Sequence, residues 1–409
     1  MNQQGKLVRI EDYESLIGAQ AVGRILKKST AWRGRRIAHI NSTYYGGGVS
    51  ILLSSLTLLM NSLGIKTGWR VIQGAPDFFQ ITKKMHHALQ GGEPIHLTAR
   101  KKSIYRQVVY ENSVRNHLEN HDAVIVHDPQ PLPLVTHYPD RRTPWIWRCH
   151  LDLSYPDRKL WRYLKPFIEQ YDAVIYSVKD YCQKAAVPQF YFMPAIDPFT
   201  ITNRAMSREE IRERLEHYHI PTDLPLVVQI SRFDRWKDPE GVIEAFKIAR
   251  KKVNATLVLL GNPATDDPEG QKIYESMLKH KEERILLLMC GDDTALVNAL
   301  QTKAAVVLQK SLREGFGLTV AEAMWKGTPV IGGDTGGIRY QIRDGENGFL
   351  VSSVREAAER LVSLLKNKKL RDRMGKKAKE SVRRNFLLPR YLEQHLDLLN
   401  SFEHRANYF

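Results

Sequence analysis

Cysteine is scarce in this chain: Cys149, Cys182 and Cys290 are the three among 409 residues, and they never approach a Cys-x-x-Cys spacing. An odd, scattered set builds neither a disulfide framework nor a thiolate zinc site, so reduced thiols are expected. Long apolar runs are missing too. None nears the ~20 residues that span a bilayer, and Met1 to Glu14 mixes charges where a secretory leader needs an apolar stretch. A soluble, cytoplasmic protein that avoids membranes is the expectation. The chain also lacks repeats, low-complexity tracts, Gly-x-Gly-x-x-Gly, a Walker A Gly-Lys-Ser/Thr and Asp-x-Asp. Those absences weigh against dinucleotide binding, P-loop chemistry and a carboxylate-held metal. No metal ligand is assigned; Asp266 and Asp267 read as a helix start that can recruit a divalent ion only weakly.

Acidic residues are outnumbered, and the formal charge is +16. Basic surfaces attract polyanions, which raises a nucleic-acid reading. Much of the excess, however, falls between Lys366 and Arg384, where Leu370, Met374, Ala378 and Val382 recur every four residues. That spacing is a helix with a solvated basic face. No nucleic-acid reading motif accompanies it.

What is present is alternation. A length of 409 residues with 43% hydrophobic content predicts two domains with real cores. Short β-branched runs alternate with amphipathic segments, the pattern of an α/β protein with parallel sheets. Strands are expected at Arg36–Asn41, Ala123–His127, Trp145–Cys149, Ala173–Val178 and Tyr191–Met193. After a polar, turn-rich stretch a second series follows at Leu226–Ile230, Thr256–Leu260, Ile285–Met289, Ala305–Gln309 and Pro329–Ile331. Two doubly wound Rossmann-like domains are implied, 1–197 and 198–384, with ligands where strand C-termini face an interdomain cleft. A last amphipathic helix runs from Phe386 to Phe402.

The most informative segment is Arg313-Glu314-Gly315-Phe316-Gly317-Leu318-Thr319-Val320-Ala321-Glu322. Its glycines open a turn whose backbone N–H groups can approach an anion, and the helix that follows adds its positive end. Glu322, eight positions after Glu314, can accept from a vicinal diol; Glu314 can hold a sugar hydroxyl or meet developing positive charge. An ordinary helix start with acidic residues is the plain alternative. Ser231-Arg232-Phe233-Asp234-Arg235-Trp236-Lys237-Asp238 follows the first strand of the second series. Arg232 and Lys237 sit where a diphosphate needs neutralising, and an arginine engages two oxygens at once; a capped surface loop is the rival. Gly332-Gly333-Asp334-Thr335-Gly336-Gly337 is a place where a base or sugar can pass close to backbone, or simply a turn.

In the first half, Asn41 ends a strand and Gly46-Gly47-Gly48 follows, offering backbone donors to phosphate or sugar. Arg148, His150 and Asp152 alternate after Trp145 and Trp147, hence share one face if extended. His150 can bond a sugar hydroxyl, while the tryptophans fit the core better than a sugar platform. His127-Asp128-Pro129-Gln130-Pro131 ends another strand and can line an acceptor site or form a capping turn.

Glu-x7-Glu around Gly-x-Gly resembles the donor signature of retaining, two-domain glycosyltransferases. The first-half strings Asn41-Ser42-Thr43 with the glycines, His127 to Pro131 and Trp147-Arg148-Cys149-His150-Leu151-Asp152-Leu153-Ser154 are narrower. Together, from about Ile10 to Leu399, the chain resembles the trehalose glycosyltransferring synthases, relatives of trehalose phosphorylase. The resemblance implies a GT-B fold, a C-terminal helix (385–409) crossing back onto the first domain, and transfer of glucose from a nucleoside-diphosphate glucose to glucose, giving an α,α-1,1 linkage with retention.

Carried onto this sequence, the resemblance makes Arg232 and Lys237 the diphosphate cations, Glu322 the ribose ligand, Glu314 the donor-sugar contact and His150 the residue near the reacting centre. Gly47, Gly48, Gly315, Phe316, Gly317 and Leu318 would complete the donor site; Asn41, Asp128, Gln130, Arg148, His150 and Asp152 would line the acceptor site. Departing phosphate would deprotonate the acceptor, so no nucleophile is assigned. No tightly bound cofactor is expected, only stimulation by a divalent cation such as Mg2+. Partners would be nucleoside-diphosphate glucose and glucose or trehalose, not nucleic acid, with a homodimer left open. One departure stands out. The family follows its glycines with Val-Ala-Glu, whereas Val49-Ser50-Ile51 places an apolar residue where that carboxylate would be, which opens the alternatives of a phosphorylase or a related transferase with another acceptor.

Overall fold

A computed structural model describes residues 7–44, 47–261, 268–291 and 293–406. The chain divides into two compact units, Met1–Ala195 with Leu388–Phe409, and Ile196–Leu387. Each is built on one six-stranded sheet in which every paired strand is parallel.

In the first unit the strands are β1 (Arg36–Asn41), β2 (Lys66–Val71), β3 (Ala123–His127), β4 (Trp145–Arg148), β5 (Ala173–Tyr176) and β6 (Gln189–Tyr191), in the order β2-β1-β3-β4-β5-β6. Parallel strands are covered on both faces and so carry near-continuous apolar runs; Ala123 to His127 is buried at every position. One face sends Ala38, Ile40, Val124, Val126, Trp147 and Tyr176 into a core with Phe78, Met85 and Leu164. By strand alternation the other face carries Ile37, His39, Ile125, Ile146, Arg148 and Ile175, all buried.

The helix Leu388–Ala406 belongs to this unit and packs on the helices Ala19–Ser29 and Gly48–Ser62. Leu388, Leu392, Leu396 and Leu399 form its apolar stripe and are fully buried. Lys28 pairs with Glu393 at 2.9 Å and Asp397 at 2.7 Å, and Trp32 donates its indole N–H to Asn400 at 3.0 Å.

The second unit holds β7 (Leu226–Ile230), β8 (Thr256–Gly261), β9 (Ile285–Met289), β10 (Val306–Gln309), β11 (Val330–Gly333) and β12 (Phe349–Val351), in the order β12-β11-β10-β7-β8-β9. From β7 the chain winds one way to β9 and then reverses to β10, β11 and β12, the order of a dinucleotide-type doubly wound sheet. In the first unit the corresponding reversal falls between β1 and β3. Open parallel sheets hold ligands beyond the strand C-termini at such a reversal. Among the described residues no helix is long and apolar enough to cross a membrane.

Candidate active site

In the second unit, residues leaving β7 and β10 meet at the reversal. Asp234 accepts the Trp236 N–H at 2.8 Å and so shapes the short turn Arg235–Lys237. Trp236 O in turn accepts the Leu312 N–H at 2.8 Å, stitching this loop to the one after β10. Lys237 Nζ lands 2.5 Å from Glu314 Oε2, which also accepts from Ser311 Oγ at 3.4 Å. A second partly buried pair joins Lys310 to Asp238, and Asp238 caps the helix Pro239–Arg250 by accepting the Gly241 N–H at 3.2 Å. Arg232 stays exposed, 3.7 Å from Asp234. The result is two ion pairs, an outlying guanidinium and loops ending in helix N-termini, all beyond the C-terminal ends of β7 and β10.

Glu314 also anchors the glycine turn, since its carbonyl accepts the Gly337 N–H at 3.1 Å. Gly317 adopts φ 82°, a left-handed conformation that glycine reaches without strain, and it caps the helix Leu318–Trp325. Glu322 on that helix is 3% exposed; Gln301 donates to it at 3.3 Å, and burial raises its carboxyl pKa. The neighbouring Lys326 is pushed down to about 8 by desolvation, against the pull of Glu322. Leu318 and Gly315 stay partly exposed along the turn. Phe316 requires a correction as a donor-binding side chain: its ring is buried against Phe386, centroids 5.7 Å apart, leaving only backbone at the turn.

In the first unit Asp128, Gln130 and His150 are partly exposed beyond the strand ends. His150 follows β4 and is half-buried. Asp128, at φ 61°, accepts the His150 backbone N–H at 2.7 Å and receives the Trp147 indole N–H on its carbonyl at 2.9 Å. Burial pushes the Asp128 carboxyl up to about 6, against the His150 hydrogen bond. Asn41 accepts the Trp69 indole N–H at 2.8 Å and donates to Thr43 O at 2.8 Å, tethering the loop after β1. Gln130 is half-buried and its Oε1 has no partner among the described residues.

Arg148 is a second correction. It is fully buried, and its guanidinium donates to Cys149 O, Ile175 O, Ser177 Oγ, Phe192 O and Tyr391 Oη at 2.8–3.3 Å. It has no donor left for an acceptor sugar. The shared face expected of Arg148, His150 and Asp152 fails because β4 ends at Arg148; Asp152 turns inward, 4% exposed, and accepts the Ser154 N–H at 2.9 Å. Trp145 and Trp147 belong to the core. Gly47, at φ 89°, and Gly48 open the helix Gly48–Ser62 and are exposed; Gly46, Asp266 and Asp267 lie outside the described residues. Ile51, in that helix's first turn, is 43% exposed.

Lys310, Ser311 and His39 went unmarked in the sequence. A lysine just after an apolar strand and a histidine inside one, in Arg-Ile-Ala-His-Ile-Asn, are the signals that were available. A polar group buried there needs a partner.

The sheet orders and the charged loops beyond β7 and β10 define a two-Rossmann glycosyltransferase class, and residues 208–381 match the model described as glycosyl transferases group 1. Residues 39–183 match the trehalose synthase N-terminal domain model. The chain belongs to the trehalose synthase family: it is 44% identical over 404 residues to trehalose synthase of Pyrococcus horikoshii, covering 96% of each chain. Among solved structures, a sucrose-phosphate synthase from Thermosynechococcus elongatus aligns over 91% of this chain and 100% of its own at TM-score 0.71 and 18% identity. An α,α-trehalose 6-phosphate synthase from Burkholderia multivorans does so over 91% and 99%, at TM-score 0.71 and 15% identity. These neighbours establish the GT-B fold.

Proposed function

We propose that this enzyme forms trehalose by transferring glucose from a nucleoside-diphosphate glucose to glucose, with retention at the donor carbon. The observation that carries the reading is the Lys237–Glu314 pair at the β7/β10 reversal, beside the Gly317 turn. Lys237 and Arg232 supply positive charge for the diphosphate, and the helix start after Gly317 adds oriented N–H groups. As the bond from anomeric carbon to phosphate stretches, negative charge grows on the phosphate oxygens, and groups already held there stabilise it without reorganising. The Glu314 carboxylate orients Lys237 and lies close enough to the glycine turn to bind a donor-sugar hydroxyl. Glu322 takes the ribose diol in this reading, and His150 contacts the sugar near the reacting carbon. The departing phosphate takes the acceptor proton, so no protein nucleophile is needed. The three unpaired thiols suit a cytoplasmic enzyme.

The test is a screen of UDP-, ADP-, GDP- and TDP-glucose with glucose, with and without Mg2+, followed by linkage analysis. A non-reducing α,α-1,1 disaccharide formed only with a nucleotide sugar is expected. Conversion of maltose to trehalose without nucleotide would replace this reading. So would phosphate-dependent release of glucose 1-phosphate from trehalose.

A further inference from the structure

Three histidines stand in a row across the C-terminal part of the first sheet. The neighbouring strands β1, β3 and β4 bring His39, His127 and the residue after β4's end, His150, side by side. His39 Nδ1 lies 2.9 Å from His127 Nε2, and His127 Nδ1 lies 3.0 Å from His150 Nε2. Ring centroids are 5.2 and 5.3 Å apart with planes inclined by 27° and 19°. Those separations equal an N···N distance plus a ring radius on each side. The imidazoles therefore meet edge to edge through in-plane hydrogen bonds, not face to face.

All three rings are neutral at neutral pH. Burial takes His39 down to about 3 and holds His127 and His150 well below the ordinary histidine value. A neutral imidazole has one N–H and one lone pair. Because both nitrogens of His127 are engaged, its single proton fixes the direction of both hydrogen bonds, and the whole row points one way or the other. The ends decide which. His39 Nε2 is sealed in the core with no partner among the described residues. A buried N–H without an acceptor is rarer and costlier than an unfilled lone pair. The adjacent core gives an internal precedent: His395 donates from Nδ1 to Tyr391 O at 2.8 Å, so its Nε2, with no partner among the described residues, is a bare lone pair.

We infer that His39 and His127 are positioning residues that lock His150 as the Nδ1–H tautomer, so that it meets a substrate sugar as a hydrogen-bond donor. The proton sits on Nδ1 of His39, then of His127, then of His150, whose Nδ1 is the end of the row that is not sealed in the core. This rests on the proposed glucosyl transfer for what His150 meets, but not for the row itself. A donor held by two buried imidazoles and by the Asp128 clamp on its backbone enters the reaction already oriented.

The experiment is long-range 1H–15N correlation NMR of the full-length, 15N-histidine-labelled protein at neutral pH, assigned with single-histidine variants. Three neutral Nδ1–H imidazoles are expected at positions 39, 127 and 150. An Nε2–H tautomer or an imidazolium at His127 overturns the inference. Kinetics give the second readout: His127→Phe keeps a ring but cuts the row, and is expected to lower kcat about tenfold while KM changes less. His127→Gln restores a donor and an acceptor and should recover most of that loss. Equal losses in both variants, with His150 still Nδ1–H, reduce His127 to packing and overturn its role. Should neither variant fold, the wild-type spectrum still decides. The expected spectrum from a protein without transferase activity would sink the proposed function and leave the row intact.

Discussion

Lys237 Nζ lies 2.5 Å from Glu314 Oε2 although 77 residues separate them in the chain. The contact exists because β7 and β10 are neighbours at the point where the sheet reverses, so the loops leaving them converge. Lys237→Ala and Glu314→Gln are each expected to lower kcat roughly 10²-fold or more, as loss of a preorganised electrostatic group does. Arg232 is exposed, so Arg232→Ala should leave the melting temperature nearly unchanged and weaken donor binding. Steady-state kinetics across the three variants check this. Full turnover in Lys237→Ala would remove the pair from the mechanism.

Arg148 is predicted to act on stability, not on acceptor binding. Its side chain ties β4 to the carbonyls of Ile175 and Phe192 and to Tyr391 on the C-terminal helix. Lysine has one ammonium in place of a planar fork and leaves several of those acceptors unpaired. Arg148→Lys should therefore cost roughly 2–4 kcal/mol in denaturant unfolding. Unchanged unfolding with a raised KM for glucose would restore Arg148 to the acceptor site.

Asp128 should leave a mark on the pH dependence of stability. Its carboxyl, about 3.8 in the open chain, is raised to about 6 in the fold. The native state thus holds the proton more tightly than the unfolded chain, so ionising Asp128 costs stability progressively across that window, and the whole penalty is present above it. Asp128→Asn keeps an oxygen for the His150 N–H and has no proton to lose. The variant should match wild type at the acidic end and exceed it above the window, by on the order of 1–3 kcal/mol. Melting curves at several pH values test it; an offset that does not vary with pH rejects the assignment.

Gly375 lies in the helix Lys368–Asn385, where alanine would ordinarily stabilise by about 1 kcal/mol. Here a Cβ would fall 1.9 Å from Gly327 O, a backbone atom with no freedom to swing aside. The clash reverses the sign. Gly375→Ala is expected to lower stability by about 1–3 kcal/mol, read from the midpoint of chemical unfolding. A midpoint raised by the substitution would show that this helix and the turn carrying Gly327 can separate at little cost.

Much of the fold was legible locally. The strands Arg36–Asn41, Ala123–His127, Leu226–Ile230 and Ile285–Met289 are as their apolar runs predict, and Pro239 and Gly48 start helices. Two edge strands escaped. Lys-Thr-Gly-Trp-Arg-Val at β2 mixes charge and glycine, and Phe-Leu-Val at β12 is too short to stand out, because an edge strand needs no unbroken apolar run. The run Tyr191 to Met193 predicts a strand two residues late; the strand is Gln189–Tyr191. Of the candidate residues, Arg232, Lys237, Glu314 and His150 are visible as charge and imidazole beside strand ends. The buried lysine at 310 and the histidine at 39 are not, since burial is invisible to residue type.

By itself the sequence determined where strands alternate with helices, that each half is a parallel sheet, and which loops carry cations, carboxylates and glycines, because those features depend on neighbours a few residues apart. Strand order did not follow from it. Which strands lie side by side is settled by packing between distant segments, and that alone paired Lys237 with Glu314, spent Arg148 on the core and lined up His39, His127 and His150. A change of strand order in the second sheet would abolish the Lys237–Glu314 pair, and one in the first sheet the other two arrangements, with every local pattern left intact.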